Sequence, residues 1–149
     1  MYDHIMVPLD GSKLAESVLP HLEAISGGCK VNRITLIQVV EPLYIHGGVE
    51  SRFGQEERKK LEEDATVVAR NYLNGVLEQL KQKGIYADIE VLSGHGIDKL
   101  NEFVKENGVD LIIIATHGHS GLGQWLHGKM ADRIIRTFRL PLLIIHPSN

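Results

Sequence analysis

The sequence has few of the features that suit an oxidising compartment, a membrane or a nucleic-acid backbone. Its single cysteine, Cys29, has no partner for an internal disulfide, which favours the reducing cytoplasm. No stretch is long and apolar enough to span a membrane, and the first residues do not resemble a signal peptide. The formal net charge is −3 and no long basic run occurs, so we expect no nucleic-acid partner.

What the sequence does contain is a regular alternation of apolar runs and helical patterns. Its 149 residues, 43% of them hydrophobic, suffice for one domain spanning residues 1–149. Strands are predicted at Ile5–Leu9, Ile34–Val40, Ala87–Leu92, Asp110–Ala115 and Leu142–Ile145, with helices at Lys13–Ile25, Gln55–Lys83, around Leu100–Val104, and Ala131–Phe138. Alternation of this kind predicts an α/β fold, a doubly wound five-stranded parallel sheet with strand order 3-2-1-4-5 and helices on both faces.

Two of the predicted helices and one predicted loop carry local signals. Pro20 lies inside the first helical pattern and is expected to kink it. The long helix begins with a charged run, interpreted as a solvated face, and Gly84 is its expected C-cap. Its later half has apolar residues at intervals of four, namely Val68, Tyr72, Val76 and Leu80. The segment Tyr44–Gln55 has no clear period and is predicted to be a loop, with a lid as one reading.

The most distinctive stretch is the glycine-rich segment Ala115–Met130 between the fourth strand and the fourth helix. Backbone N–H groups at a helix N-terminus attract anions, and Lys129 adds a positive charge there. Gly123–Lys129 also has the spacing of a phosphate-binding P-loop, but Met130 replaces its Ser or Thr and the motif stands too far from the strand. The other reading is a glycine-rich surface loop with no ligand.

Asp10 follows the first strand directly, at the edge of the sheet where parallel α/β folds bind ligands. Capping of the following helix is its alternative role, which Ser12 can also fill. In strand order 3-2-1-4-5 the switch point lies between strands 1 and 4, so Asp10 and the glycine-rich segment meet at one cleft. Val39 and Val40, at the end of strand 2, are candidates for an apolar wall beside a planar base.

Several stretches together resemble the universal stress protein family along essentially the whole chain. They are the opening Ile5–Ser12, the run Asp110–Ile114, the corner Thr116-His117-Gly118, and the closing Leu140–Ile145. The resemblance implies a fold of the adenine nucleotide alpha hydrolase type that binds ATP, or AMP or ADP, with Mg²⁺ accompanying the nucleotide. It also implies a homodimer that pairs through the C-terminal strand Leu142–Ile145, an edge that would otherwise invite association.

The resemblance carries over to individual positions, with two departures. ATP-binding members have a glycine, two residues, a glycine, nine residues, then a glycine and a Ser or Thr. Gly118 and Gly128 match the second and third glycines, whereas Ala115 stands at the first and Lys129 at the hydroxyl position. The implied nucleotide-binding residues are Pro8, Leu9, Asp10, Val39, Val40, Ile114, Ala115, Gly118, Gly128, Lys129 and Met130, with Asp10 also an indirect Mg²⁺ ligand.

Three functions remain open from the sequence. The first is an adenine-nucleotide-binding regulatory protein of the stress response, acting as a homodimeric switch. The second is a nucleotide-free dimeric interaction module of the same fold. The third is a slow ATP hydrolase, which the sequence does not support because it shows no evident nucleophile and base, so no enzyme is expected. His117, His119 and His127 would suit a metal site only if they converged with further ligands.

Overall fold

In the part of the chain that the structure describes, five parallel strands form the centre of the molecule and five helices cover them. The computed structural model describes residues 1–42, 54–116 and 127–147, and the backbone alone at residues 127–129. The strands are β1 (Tyr2–Pro8), β2 (Val31–Val40), β3 (Asp88–Ser93), β4 (Leu111–Ala115) and β5 (Leu142–Ile145). The helices are α1 (Lys13–Glu16), α2 (Leu19–Gly28), α3 (Gln55–Gln82), α4 (Gly96–Asn107) and α5 (His127–Thr137).

The strand order is β3-β2-β1-β4-β5, and every neighbouring pair is parallel. The predicted fold class and strand order are therefore confirmed, with β3 and β5 at the two ends of the sheet. The chain reverses its winding direction after β3, which places the switch point between β1 and β4. Consequently the residues after β1 and after β4 emerge side by side.

Two apolar cores lie on opposite faces of the sheet. One is built with α1, α2 and α3, and includes Val18, Leu22, Leu73 and Leu80 around β1 and β2. The other is built with α4 and α5. Its buried helix residues are Leu100, Phe103, Val104, Ala131, Ile134 and Phe138. Because β1 is covered on both faces, it reads as a continuous apolar run rather than as an alternation.

The first predicted helix is in fact two helices. α1 ends at Glu16 and α2 begins at Leu19, so the single helix Lys13–Ile25 is wrong. Pro20 lies in the first turn of α2, where its missing N–H leaves no helical hydrogen bond unmade. A proline that was expected to kink a helix interior therefore starts a new helix instead.

The long helix α3 buries Val76 and Leu80 as predicted, but near its centre the buried face includes Ala69 and Leu73 instead of Val68. Val68 is 67% exposed, whereas Ala69, Leu73, Val76 and Leu80 are buried. An α-helix has about 3.6 residues per turn, so residues at a constant interval of four move gradually around the helix. Residues at alternating intervals of four and three stay on one face. The charged first half is largely exposed, as predicted.

The first two strands extend beyond their apolar runs at the amino ends, whereas β3 and β4 begin one residue later than predicted. β1 begins at Tyr2, which pairs with Val31, so both strands start three residues before the predicted Ile5 and Ile34. An apolar run marks only the buried part of a strand. The hydrogen-bonded ladder between two strands continues into more exposed positions, because it needs only the backbone groups. Among the described residues, none of the helices has the length and apolar content that a membrane crossing requires.

Candidate functional site

The candidate site lies at the carboxyl edge of the sheet, where β1 ends. Pro8 is the last residue of β1, and the N–H of Leu9 donates to the carbonyl of Ile37 at 2.8 Å. Leu9 is 4% exposed and belongs to the core, so it offers a ligand its backbone only. Asp10 comes next and is exposed, which places a carboxylate directly above the end of the central strand.

The turn after β1 is built by Asp10 itself. Its Oδ1 accepts a hydrogen bond from the backbone N–H of Ser12 at 2.9 Å, an Asx-turn geometry. Gly11 between them has φ of +84°, a left-handed conformation that favours glycine. Ser12 Oγ then accepts from the N–H of Ala15 at 3.0 Å and caps α1. From the sequence, either Asp10 or Ser12 could cap this helix, and in the structure Ser12 is the cap.

Two neighbouring strands turn their peptide groups toward the end of β1. Residues two apart in a strand point their N–H and C=O groups to the same side. Ile37 bonds to Leu9, so Val39 also points toward β1, beyond the end of the β1 ladder. The N–H groups of Ile112 and Thr116 donate to Pro141, just before β5, and to Ile145 in β5, so Ala115 points the other way, toward β1. A planar base with donors and acceptors along one edge fits such backbone groups.

The two valines proposed as an apolar wall are not equivalent. Val40 points its carbonyl toward β3, where it accepts from the N–H of Gly94 at 3.1 Å. Val39 is half-buried, and its side chain packs against the core on the α4 and α5 face, as does that of Met130. Ile114 is 3% exposed and part of the same core, so its side chain is a support rather than a contact surface.

The fourth helix of the prediction starts earlier than its apolar pattern. α5 begins at His127 rather than Ala131, so Gly128, Lys129 and Met130 all lie in its first turn. The first N–H groups of a helix have no acceptor within it, which makes this turn suitable for an anion. Gly118 lies outside the described residues, as do His117, His119 and most of the segment Tyr44–Gln55. In the described part of the chain no cluster of three or more metal-ligating side chains occurs.

Tyr72 approaches the site from α3. Burial raises the pKa of its hydroxyl above the ordinary value, and the nearby carboxylates of Glu16 and then Asp10 raise it further. Glu16 in turn pairs with Lys13 at 3.0 Å. The tyrosine therefore stays neutral and lies beside the Asp10–Gly11 turn. Its helical spacing suggested only a core position, because a pattern of apolar residues does not reveal which carboxylates fold against it.

Glu41 is the residue whose role sequence reasoning missed. It directly follows strand 2, and its Oε1 accepts the backbone N–H of Gly96 at 3.0 Å. Gly96 is the first residue of α4, so Glu41 caps that helix from 55 positions away in the sequence. The sequence feature that could have predicted this role is a carboxylate directly after an apolar strand, because the helices of a parallel α/β fold begin at that edge of the sheet.

The chain matches known proteins over nearly its whole length. The model of the universal stress protein family matches residues 1–146. Universal stress protein MJ0577 of Methanocaldococcus jannaschii is 24% identical over 159 residues, covering 100% of this chain and 98% of that protein. The solved structure of MJ0577 has a TM-score of 0.80 at 25% identity, covering 100% of this chain and 99% of the other.

Two further solved structures hold adenine nucleotides. A universal stress protein in complex with cAMP has a TM-score of 0.65 at 18% identity, covering 99% of this chain and 98% of the other. The family protein At3g01520 of Arabidopsis thaliana, with AMP bound, has a TM-score of 0.67 at 14% identity, covering 98% and 92%. These two likenesses show the shared fold, and the match to the family model covers all but the last three residues. The chain therefore belongs to the universal stress protein family.

Proposed function

We propose that this protein binds an adenine nucleotide at the carboxyl edge of its sheet and acts as a homodimeric regulatory switch in a stress response. The observation that supports the proposal is topological: Asp10 follows β1 and α5 follows β4, on the two sides of the switch point, and Val39 lies near the end of the neighbouring strand β2. This is the switch point, where parallel α/β folds bind ligands. Fold neighbours that hold cAMP and AMP support an adenine nucleotide as the ligand.

Each group at the edge has a part in the proposed site. The Val39 peptide group and side chain receive the adenine, with Pro8 beside it. Asp10 accepts hydrogen bonds from the nucleotide or holds the accompanying Mg²⁺ through it. The first N–H groups of α5 bind phosphate, because a helix N-terminus carries a partial positive charge. Asp10 would help to hold the Mg²⁺ that accompanies ATP, and the cation would supply positive charge to offset that of the phosphates.

The quaternary and cellular parts of the proposal rest on separate observations. β5 is a short apolar strand at one end of the described sheet, and pairing with a second copy would cover its edge. The family match from residue 1 to residue 146 supports one domain over 1–149. Cys29 is a free, exposed thiol, which supports the cytoplasm. We propose regulation rather than catalysis, because Ser12 is engaged as a helix cap and Asp10 shapes its own turn.

The direct test is to denature purified protein and identify what is released by mass spectrometry and anion-exchange chromatography. We expect an adenine nucleotide near one per chain. Protein stripped of ligand should then regain thermal stability with ATP and Mg²⁺. At a ligand concentration a hundred times Kd the gain is about 2.7 kcal/mol. For a chain of this size, that corresponds to a rise in Tm of roughly 5–10 °C. An empty protein with no thermal shift at millimolar nucleotide would overturn the proposal.

A nucleotide-free dimeric interaction module is the second candidate. It is favoured by Ala115 and Lys129, which stand where the nucleotide-binding motif of the family has a glycine and a hydroxyl. The methyl group of Ala115 narrows the space for a ligand beside the end of β1. The long side chain of Lys129 cannot contact phosphate in the way that a short serine or threonine hydroxyl does. Lys129→Ser distinguishes the two candidates: it should create or strengthen ATP binding if the lysine alone prevents it.

A further inference from the structure

We propose that Glu41 and Gly96 are positioning residues for the first turn of α5, so that they control phosphate binding without touching the ligand. The inference rests on the nucleotide binding proposed above. It begins from the hydrogen bond of 3.0 Å between Glu41 Oε1 and the N–H of Gly96. That bond ties the carboxyl end of β2 to the N-terminus of α4, on the same edge of the sheet as the candidate site.

The Glu41 carboxylate also decides which helix end remains open to an anion. α4 and α5 both begin at the carboxyl edge of the sheet. The positive end of α4 is already neutralised by Glu41, and a second anion there would meet that carboxylate. Phosphate is therefore directed to α5, whose first turn contains Gly128, Lys129 and Met130.

Gly96 is buried, and the space above it is filled by two other elements. A methyl group on Gly96 would lie 2.5 Å from Met130 Cε and 2.7 Å from Glu41 Oε1. Both distances are shorter than van der Waals contact, so a side chain there must displace one group or both. The missing side chain thus lets β2, α4 and α5 meet at one point.

Met130 transmits this contact to the proposed phosphate site. It lies in the first turn of α5 and packs against the core that includes Val39 and Ile97. A side chain on Gly96 would displace Met130 Cε, the end of a flexible side chain, and would change how the start of α4 packs against the first turn of α5. Hydrogen bonds to phosphate depend steeply on distance and angle, so a small shift is enough to weaken them.

The experiment compares ATP and adenosine affinities by calorimetry in wild type and four variants. Gly96→Ala and Glu41→Ala should each weaken ATP binding roughly tenfold, the equivalent of one hydrogen bond, and leave adenosine binding within about twofold. Glu41→Gln keeps an acceptor oxygen for Gly96 and should retain the ATP affinity within about threefold. Gly75→Ala, a glycine substitution in exposed α3, is the matched control and should change neither affinity.

The outcomes separate this inference from the proposed function. Unchanged ATP binding in both Gly96→Ala and Glu41→Ala would overturn it, as would an equal loss for ATP and adenosine. If Glu41→Gln lost as much ATP affinity as Glu41→Ala, the hydrogen bond to the N–H of Gly96 would not be what maintains the phosphate site, and the inference would be wrong. Glu41→Ala adds no atoms, so it still decides the matter if Gly96→Ala does not fold. A wild-type protein that binds neither ligand would refute the proposed function itself.

Discussion

Asp10 Oδ1 accepts a hydrogen bond from the N–H of Ser12 at 2.9 Å, so one carboxylate both shapes the turn after β1 and stands at the switch point. A turn-forming role needs only an acceptor oxygen, whereas a role beside Mg²⁺ or a ligand hydroxyl needs the charge. The two roles are separable, because asparagine keeps the acceptor and removes the charge.

We therefore predict different effects of two Asp10 substitutions. Asp10→Asn should leave the Tm of the empty protein unchanged and weaken binding of Mg²⁺-ATP about tenfold, as expected for one lost charge-assisted contact. Asp10→Ala should weaken binding similarly and also destabilise the turn by about 1 kcal/mol. Calorimetry with Mg²⁺ and with a chelator measures the first effect. Equal ATP affinity in Asp10→Asn and wild type would exclude the carboxylate charge from binding.

Two glycines of the α3 region should respond to alanine with opposite signs. Gly75 has helical backbone within α3, and a methyl there meets no described atom within 4 Å, so Gly75→Ala should stabilise the protein by about 0.5–1 kcal/mol. Gly84 is equally open but has φ of +77°, so Gly84→Ala should cost about 1–2 kcal/mol. Urea denaturation measures both, and the same sign for both would contradict the backbone argument.

Gly84 has this conformation because it ends α3 in a Schellman motif. The N–H of Ile85 donates to the carbonyl of Leu80 at 3.0 Å, and that of Gly84 donates to Lys81 at 2.9 Å. The predicted C-cap glycine is thus confirmed in its role, one position beyond the capping residue Lys83. Open space around it means that a loss of stability in Gly84→Ala measures backbone strain rather than a clash.

The stability of the protein should depend on the hydrogen bond between the buried residues His4 and Thr35, which lie away from the candidate site. His4 Nδ1 donates to the carbonyl of Asn107 at 3.0 Å, so Nε2 is the acceptor for Thr35 Oγ1 at 2.8 Å. Thr35→Val would leave that nitrogen without its donor in a buried position and should cost about 1–3 kcal/mol. Thr66→Val, at a partly exposed position of α3, should change stability by less than about 0.5 kcal/mol. Equal effects in urea denaturation would contradict the role of the Thr35–His4 bond.

Tyr72 should make the protein lose stability in alkaline solution. Its folded pKa is raised above the unfolded value of about 10, so the folded state keeps a proton that the unfolded chain releases. This contribution is complete below pH 10 and declines as the pH rises above it. Tyr72→Phe removes the titrating group, so the stability of the variant relative to wild type should rise between pH 9 and pH 11.

Urea titrations at several pH values in that range measure the Tyr72 effect. Tyr86→Phe is the matched control, because that side chain is 79% exposed. A constant difference between Tyr72→Phe and wild type across the range would contradict the burial of the hydroxyl near Glu16 and Asp10. A difference that grows with pH for both variants alike would assign the effect to something other than Tyr72.

The proposed dimer predicts a specific sensitivity of β5 to proline. Pro141 and Ile145 both accept bonds from β4, so Leu142 and Ile144 point their backbone groups toward the outer edge. Ile144→Pro removes an outward N–H and should convert a β5-paired dimer into monomers, without removing a donor to β4. Ile144→Ala loses packing but keeps the N–H and should remain dimeric. Light scattering measures both masses, and a dimeric Ile144→Pro would argue against pairing through β5.

Much of the fold was predictable because parallel strands covered on both faces leave a strong signal. Apolar runs marked four of the five strands, an alternation marked β3, and the order of elements fixed the switch point beside Asp10. Helix interiors were harder: Pro20 and Val68 were both misplaced, because spacing along a chain does not say where a helix starts or which side faces the sheet. The start of α5 was missed for a similar reason, since its first turn is not apolar.

The sequence by itself determined the class of the fold and the order of its strands, because these follow from local periodicity, and its short motifs sufficed to indicate the family. Only the tertiary structure decided that Val39 rather than Val40 turns toward the end of β1, that Tyr72 stands beside the Asp10 turn, and that Glu41 caps α4. The physical reason is that strand register and the docking of helices set these contacts. Residues such as Glu41 and Gly96, 55 positions apart, carry no local pattern that records their meeting.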